Sequence, residues 1–210
     1  MPTVPLKDCQ IAYVDEGTGA PLLLIHGFPL DHTMWVHQIE GLRADFRVIA
    51  VDLPGFGASS SCPGEMSIIG FADRLVEFLD QIGLQQVTLC GLSMGGSIAQ
   101  QFALRHPERL NGLILCDCRA AADPLETQKM RRELADRVLQ EGPGFVAQAM
   151  PARLFAPRTL SEQPEVVRAT QSVIRATPPP SVAGGSRALA NREDVVMRLG
   201  RIETRTLLIV

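Results

Sequence analysis

No run of about 18 consecutive apolar residues, the length a helix needs to cross a bilayer, occurs in this sequence. The first residues, MPTVPLKDCQIAYVDEGTG, lack the basic start and continuous apolar core of a secretory signal, so a soluble, cytoplasmic protein is expected. Positive charge is not in excess either. Twenty Lys and Arg stand against 23 Asp and Glu, a net charge of −3 with no basic patch to draw nucleic acid or an anionic membrane, so the expected partner is a small molecule. Cysteine is sparse, odd in number and scattered, at 9, 62, 90, 116 and 118, which makes a poor disulfide framework and points to reduced thiols. Cys116 and Cys118 would share one face of a strand, yet no second Cys or His pair at ligand spacing accompanies them. No metal and no organic cofactor is expected.

What is present is a domain's worth of core. With 46% hydrophobic and 20% charged residues, 210 residues suffice for one globular unit. Short apolar runs bounded by turn signals read as buried strands at Leu22 to Ile25, Val48 to Val51, Val87 to Cys90, Leu113 to Cys116 and Leu207 to Val210, with a weak early strand near Ile11 to Val14 at one edge. Helical spacing appears between them at Ile69 to Ile82, Ser97 to Arg105 and Thr127 to Leu139. Strands alternating with helices specify an α/β fold with a mostly parallel sheet and helices on both faces. The alternation stops over residues 120–194, which are charged, helical and punctuated by Pro151, Pro157, Pro164, Pro178, Pro179 and Pro180. The expected organisation is a core over 1–119, a helical lid over 120–194 and a return to the sheet at 195–210. Met130, Met150, Leu154 and Phe155 of the lid are candidate apolar contacts for a substrate.

The most informative stretch runs from Gln86 through Gly91-Leu92-Ser93-Met94-Gly95-Gly96 to Ala99 and reads strand, G-x-S-x-G, helix. That order places a serine on a sharp turn above the sheet's edge, with the glycines where strand and helix nearly touch. The helix that starts behind Ser93 aims its free N–H groups at the place where negative charge would develop. Two further motifs follow strands: His26-Gly27-Phe28-Pro29, and Asp52-Leu53-Pro54-Gly55-Phe56-Gly57-Ala58-Ser59.

On these three motifs the chain resembles the α/β-hydrolase superfamily. The resemblance implies that Ser93 is the nucleophile and that the backbone N–H groups of Phe28 and Met94 form the oxyanion hole. It also implies substrate contacts from His26, Gly27, Leu92 and Trp35, with Asp52 a structural acceptor and His26 a support for the oxyanion turn. Leu30-Asp31-His32 with Met34-Trp35, and Cys116-Asp117-Cys118-Arg119-Ala120, are similar to bacterial esterases and lactonases related to 3-oxoadipate enol-lactonase. Phe28 paired with Met94 also occurs in cofactor-free perhydrolases of the superfamily. A serine rather than an aspartate at position 93 favours acyl chemistry over dehalogenase or epoxide chemistry.

In the family the triad acid follows the strand that here ends at Val210, and the histidine comes later still. The chain is therefore expected to lack both, together with a last strand and helix, and to be weakly active or inactive as it stands. His106 is thirteen residues past Ser93, nearly 20 Å along a helix at about 1.5 Å per residue. Three functions remain open at this point: an ester or lactone hydrolase working through an acyl-enzyme, an acyltransferase or perhydrolase, and a non-catalytic ligand-binding relative. Oligomeric state is left open.

Overall fold

The computed structural model describes residues 1–210, and no helix in it is long and apolar enough to cross a membrane. Its centre is a seven-stranded sheet of β1 (Thr3–Pro5), β2 (Gln10–Glu16), β3 (Ala20–Ile25), β4 (Phe46–Val51), β5 (Val87–Leu92), β6 (Leu110–Cys116) and β7 (Thr206–Ile209), in the order β1-β2-β4-β3-β5-β6-β7. The strands from β4 across to β7 are parallel, while β2 lies antiparallel to both β1 and β4. A strand covered on both faces is apolar throughout, and the Leu22–Ile25 run of β3 is buried at every residue.

Side chains alternate across that sheet. Leu23, Ile25, Ile49, Val51 and Leu89 face the larger core, against α2 (Ile68–Gln81) and α3 (Met94–Arg105). Leu22, Leu24, Val48, Ala50 and Cys90 face the other way, under Trp35 and α1 (Val36–Leu42). In α2 the buried Phe71, Ala72, Leu75, Phe78 and Leu79 form one helical stripe, and the Ser67 hydroxyl caps its start by accepting from Gly70 N–H at 2.9 Å.

Two expectations change at the first edge. The strand around Ile11 to Val14 is not the outermost, because β1, three residues too short to show a period, pairs outside it. Nor are all five cysteines reduced: Cys9 and Cys62 are joined in a disulfide across 53 positions. The start of β2 and the loop after β4 are already stitched by Gln10 N–H to Ser60 Oγ, Ser60 N–H to Gln10 O and Ala12 N–H to Ser59 Oγ, and this brings the two cysteines together. The other three thiols are free. Burial pushes the Cys90 thiol up, and it pushes Cys118 to about 11, so neither is a reactive thiolate at neutral pH.

Between β6 and β7 there are only helices: α4 (Leu125–Glu141), α5 (Gly144–Ala149), α6 (Pro151–Leu154), α7 (Pro157–Glu162), α8 (Pro164–Ala176) and α9 (Pro179–Ala190), then a 3-10 turn at Val196–Arg201. Four of them begin with proline at or next to the first helical position, where its missing N–H costs nothing. These helices have a small core of their own, Val138, Val146, Ala147, Ile174 and Val182, which meets the main body at Leu30, Phe28 and Met34. The segment therefore rests on the loop that follows β3.

Candidate active site

β5 ends at Leu92 and α3 begins at Met94, so Ser93 makes the whole turn between them, at φ 52° and ψ −106°. For a residue with a Cβ this is strained, at roughly 1–3 kcal/mol, and must be held by its surroundings. Ser93 N–H donates to Cys116 O at 2.9 Å and Ser93 O accepts from Ser97 N–H at 3.0 Å. A Cβ on Gly91 would sit 2.2 Å from Gly95 O, and one on Gly95 would sit 2.4 Å from Ile25 O. Only glycine allows strand and helix this close. The outcome is an exposed Ser93 between buried neighbours on the α3 side.

The turn after β3 lies against this elbow: a Cβ built on Gly27 would be 3.7 Å from Ser93 Cβ and 3.4 Å from Leu92 Cδ2. Phe28 N–H donates to nothing within the chain. Met94 N–H is the first of α3 and has no intrahelical acceptor. Two unengaged donors thus flank an exposed hydroxyl.

His26 fixes that turn from below. Its Nε2 accepts from Leu53 N–H at 3.0 Å, so Nδ1 carries the proton and donates to Gly27 O at 3.0 Å. It is 0% exposed, and burial holds its pKa below the ordinary value, keeping the ring neutral. Both ring nitrogens of His26, a residue read as a substrate contact, are thus used within the chain, and none of its surface is open. Trp35, read the same way, is 6% exposed and packs on Leu22, Leu24 and Val48 instead. An aromatic just after a site turn packs into the core as readily as it lines a pocket.

Sequence reading gives Asp52 as a structural acceptor but finds neither Met34 as a support of this loop nor His32 as the partner of Asp52. Gly27 N–H donates to Met34 Sδ at 3.3 Å. Asp52, at the end of β4, accepts from both His32 N–H and His32 Nδ1–H at 2.8 Å on one oxygen and from Ala58 N–H at 2.8 Å on the other. With Asp31 these residues put three ligand-type atoms within 4.8 Å, but Asp31 caps the following turn through Thr33 N–H, and Asp52 is fully used. The cluster is a clasp rather than a metal centre.

The clasp has a pH signature. The Asp52 hydrogen bond raises His32 above 6.5; burial pushes Asp52 up, but His32 and the Ala58 N–H outweigh it and hold the carboxyl below 3.8. The His32 contribution is complete below pH 6.5 and is lost as pH rises through its raised value. The Asp52 contribution is complete above pH 3.8 and is lost as pH falls through its lowered value. Thermal unfolding should therefore show His32→Asn least stable relative to wild type between about pH 4 and 6.5, with the gap closing in alkali. A gap that stays constant up to about pH 9 contradicts this.

Three of the four histidines are held by other partners: His26 and His32 are engaged as described, and His106 bonds Asp73 at 3.1 Å beyond the end of α3, while His37 is exposed, 4.0 Å from Glu40, and makes no hydrogen bond to Ser93. Asp117, with φ 39° just after β6, gives its N–H to Ile209 O. Beside the elbow a cavity of about 650 Å³ opens between Leu92, the turn around Met34 and the α6 and α8 helices. Of the four lid residues read as contacts, Leu154 and Phe155 line it. Met150 packs in the helical core, and Met130 is exposed on the outer side of α4.

A strained, exposed serine between strand and helix on a mostly parallel sheet, faced by a turn with a free N–H, defines a class. Residues 20–199 match the family model described as alpha/beta hydrolase fold, and the chain belongs to that family. It is a hydrolase by its relatives. The chain is 29% identical to 3-oxoadipate enol-lactonase 2 of Acinetobacter baylyi over 99% of its own length and 77% of that protein's. It is 31% identical to the putative carbamate hydrolase RutD of Azorhizobium caulinodans, covering 99% and 78%. Among solved structures, a thermophilic esterase from Thermogutta terrifontis with malate bound superposes with a TM-score of 0.95 at 41% identity, covering 99% of this chain and 79% of the esterase.

Proposed function

We propose that Ser93 is the nucleophile of a hydrolase that cleaves a carboxylic ester or lactone through an acyl-enzyme. The observation that carries this is the strained, exposed Ser93 beside the unengaged Phe28 and Met94 N–H groups. A turn that only joined a strand to a helix would gain nothing from such strain. Ser93 Oγ adds to the carbonyl carbon while its proton passes to a base, and the carbonyl oxygen, now negative, takes the two N–H groups. Collapse expels the alkoxide or enolate oxygen, which recovers the proton. Water then attacks the acyl-enzyme in the same way and frees the acid. Since His26, His32 and His106 are held by other partners and His37 makes no hydrogen bond to Ser93, the base is proposed to be a histidine outside residues 1–210, oriented by an acid. Residues 120–194 act as the lid that shapes the substrate site.

The test uses the product of the full native reading frame. A fluorophosphonate should add its mass to the peptide carrying Ser93, and short p-nitrophenyl esters should be hydrolysed. Adding an alcohol or hydrogen peroxide as competing nucleophile identifies hydrolysis by showing free acid as the main product. Ligand binding with no labelling of Ser93 would instead mean a binding protein.

A further inference from the structure

We propose that the cavity beside the elbow selects uncharged, apolar acyl groups and rejects those ending in a carboxylate, with Glu165 as the determinant; the assignment of this cavity to the acyl group rests on the reading of Ser93. The cavity starts one residue from the nucleophile. Its floor is Leu92, whose side chain lies over Gly27, and Met34, whose sulfur holds Gly27 N–H. Its far wall is Leu154, Phe155, Val166 and Val173.

Nine of its thirteen lining residues are apolar and none is Lys or Arg, so an anion entering finds no cation to replace its water. The two titratable groups that line it are His37 and Glu165. His37 is 82% exposed at its side chain and stands 4.0 Å from Glu40, which leaves Glu165 as the one acid of the lining. Glu165 lies exposed in the first turn of α8, carries no ion pair, and presents a free negative charge to whatever occupies the cavity. A carboxylate-tipped chain meets desolvation and repulsion together, whereas a hydrocarbon of the same length meets neither.

The experiment compares p-nitrophenyl hexanoate with the p-nitrophenyl half-ester of adipic acid, equal in acyl length and different only in the terminal carboxylate, on the full native gene product. A preference in kcat/KM of roughly 100-fold for the hexanoate is expected, falling at least about tenfold in Glu165→Arg, mainly through KM for the half-ester. Turnover-free binding of methyl hexanoate against monomethyl adipate to Ser93→Ala should show the same preference. Equal handling of the two esters within about threefold, or a ratio unmoved by Glu165→Arg, overturns the proposal. If binding discriminates while neither ester is cleaved, the cavity's selectivity stands and the Ser93 reading falls.

Discussion

Ester hydrolysis should fall by about 10⁴-fold or more when Ser93 is replaced by alanine, and fluorophosphonate labelling should disappear with it. Structural damage does not account for such a loss. Ser93 Oγ makes no hydrogen bond within the chain, and the backbone bonds that hold the turn, to Cys116 O and from Ser97 N–H, survive the change. Ser93→Gly separates the two roles of the position. Glycine has no Cβ penalty at φ 52°, so this variant should lose activity equally and gain about 1 kcal/mol of stability, or about 2–4 °C in Tm for a chain of this size. An active Ser93→Ala enzyme would remove the nucleophile assignment. A Ser93→Gly protein less stable than Ser93→Ala would remove the strain.

Gly91→Ala should be among the most destructive single methyls in the molecule. Its Cβ would lie 2.2 Å from Gly95 O, 2.3 Å from Gly95 C and 2.7 Å from Gly96 N, all backbone atoms, so no side chain can swing aside. Relief requires the start of α3 to move off β5, which tears Met94 N–H from its place beside Phe28. A cost of about 3 kcal/mol or more is expected, about 6–12 °C in Tm, with little soluble protein at growth temperature. Gly41→Ala, in α1 with nothing within 4 Å of the new methyl, is the matched control and should leave Tm the same or slightly higher. Equal melting of the two variants would show that α3 is not as tightly seated on β5 as described.

Much of this fold is legible in the sequence, for identifiable reasons. The central runs of β3 and β4 are buried on both faces and apolar without interruption, and those of β5 and β6 are nearly so, with only Thr88 polar, so all four stand out from the polar turns between them. The elbow was readable because its tight geometry admits few residues, and those residues form a pattern. β1 was not readable, since Thr3–Pro5 has one buried residue and no period to detect. The Cys9–Cys62 pairing and the His32–Asp52 clasp join positions 53 and 20 apart, and spacing carries no signal of either. The cavity was read only in part. Leu154 and Phe155 stand out in the sequence as apolar contacts, but Glu165, Val166 and Val173 look like any amphipathic helix until α8 is placed over Met34.

The pairing of β3 with β5 has one more consequence. Ile25 is in register with Gly91 on neighbouring parallel strands, so the Phe28 donor and Ser93 each emerge two or three residues past the same rung of one ladder. Their separation is set by backbone hydrogen bonds, which take no account of side-chain identity, whereas the far wall of the cavity comes from a stretch of chain between β6 and β7 that enters no ladder. Inheritance can therefore treat the two as separate parts: α4 to α9 are open to exchange, shortening or recruitment from a relative, and each exchange would change which molecules are admitted while the reacting centre passes on unaltered.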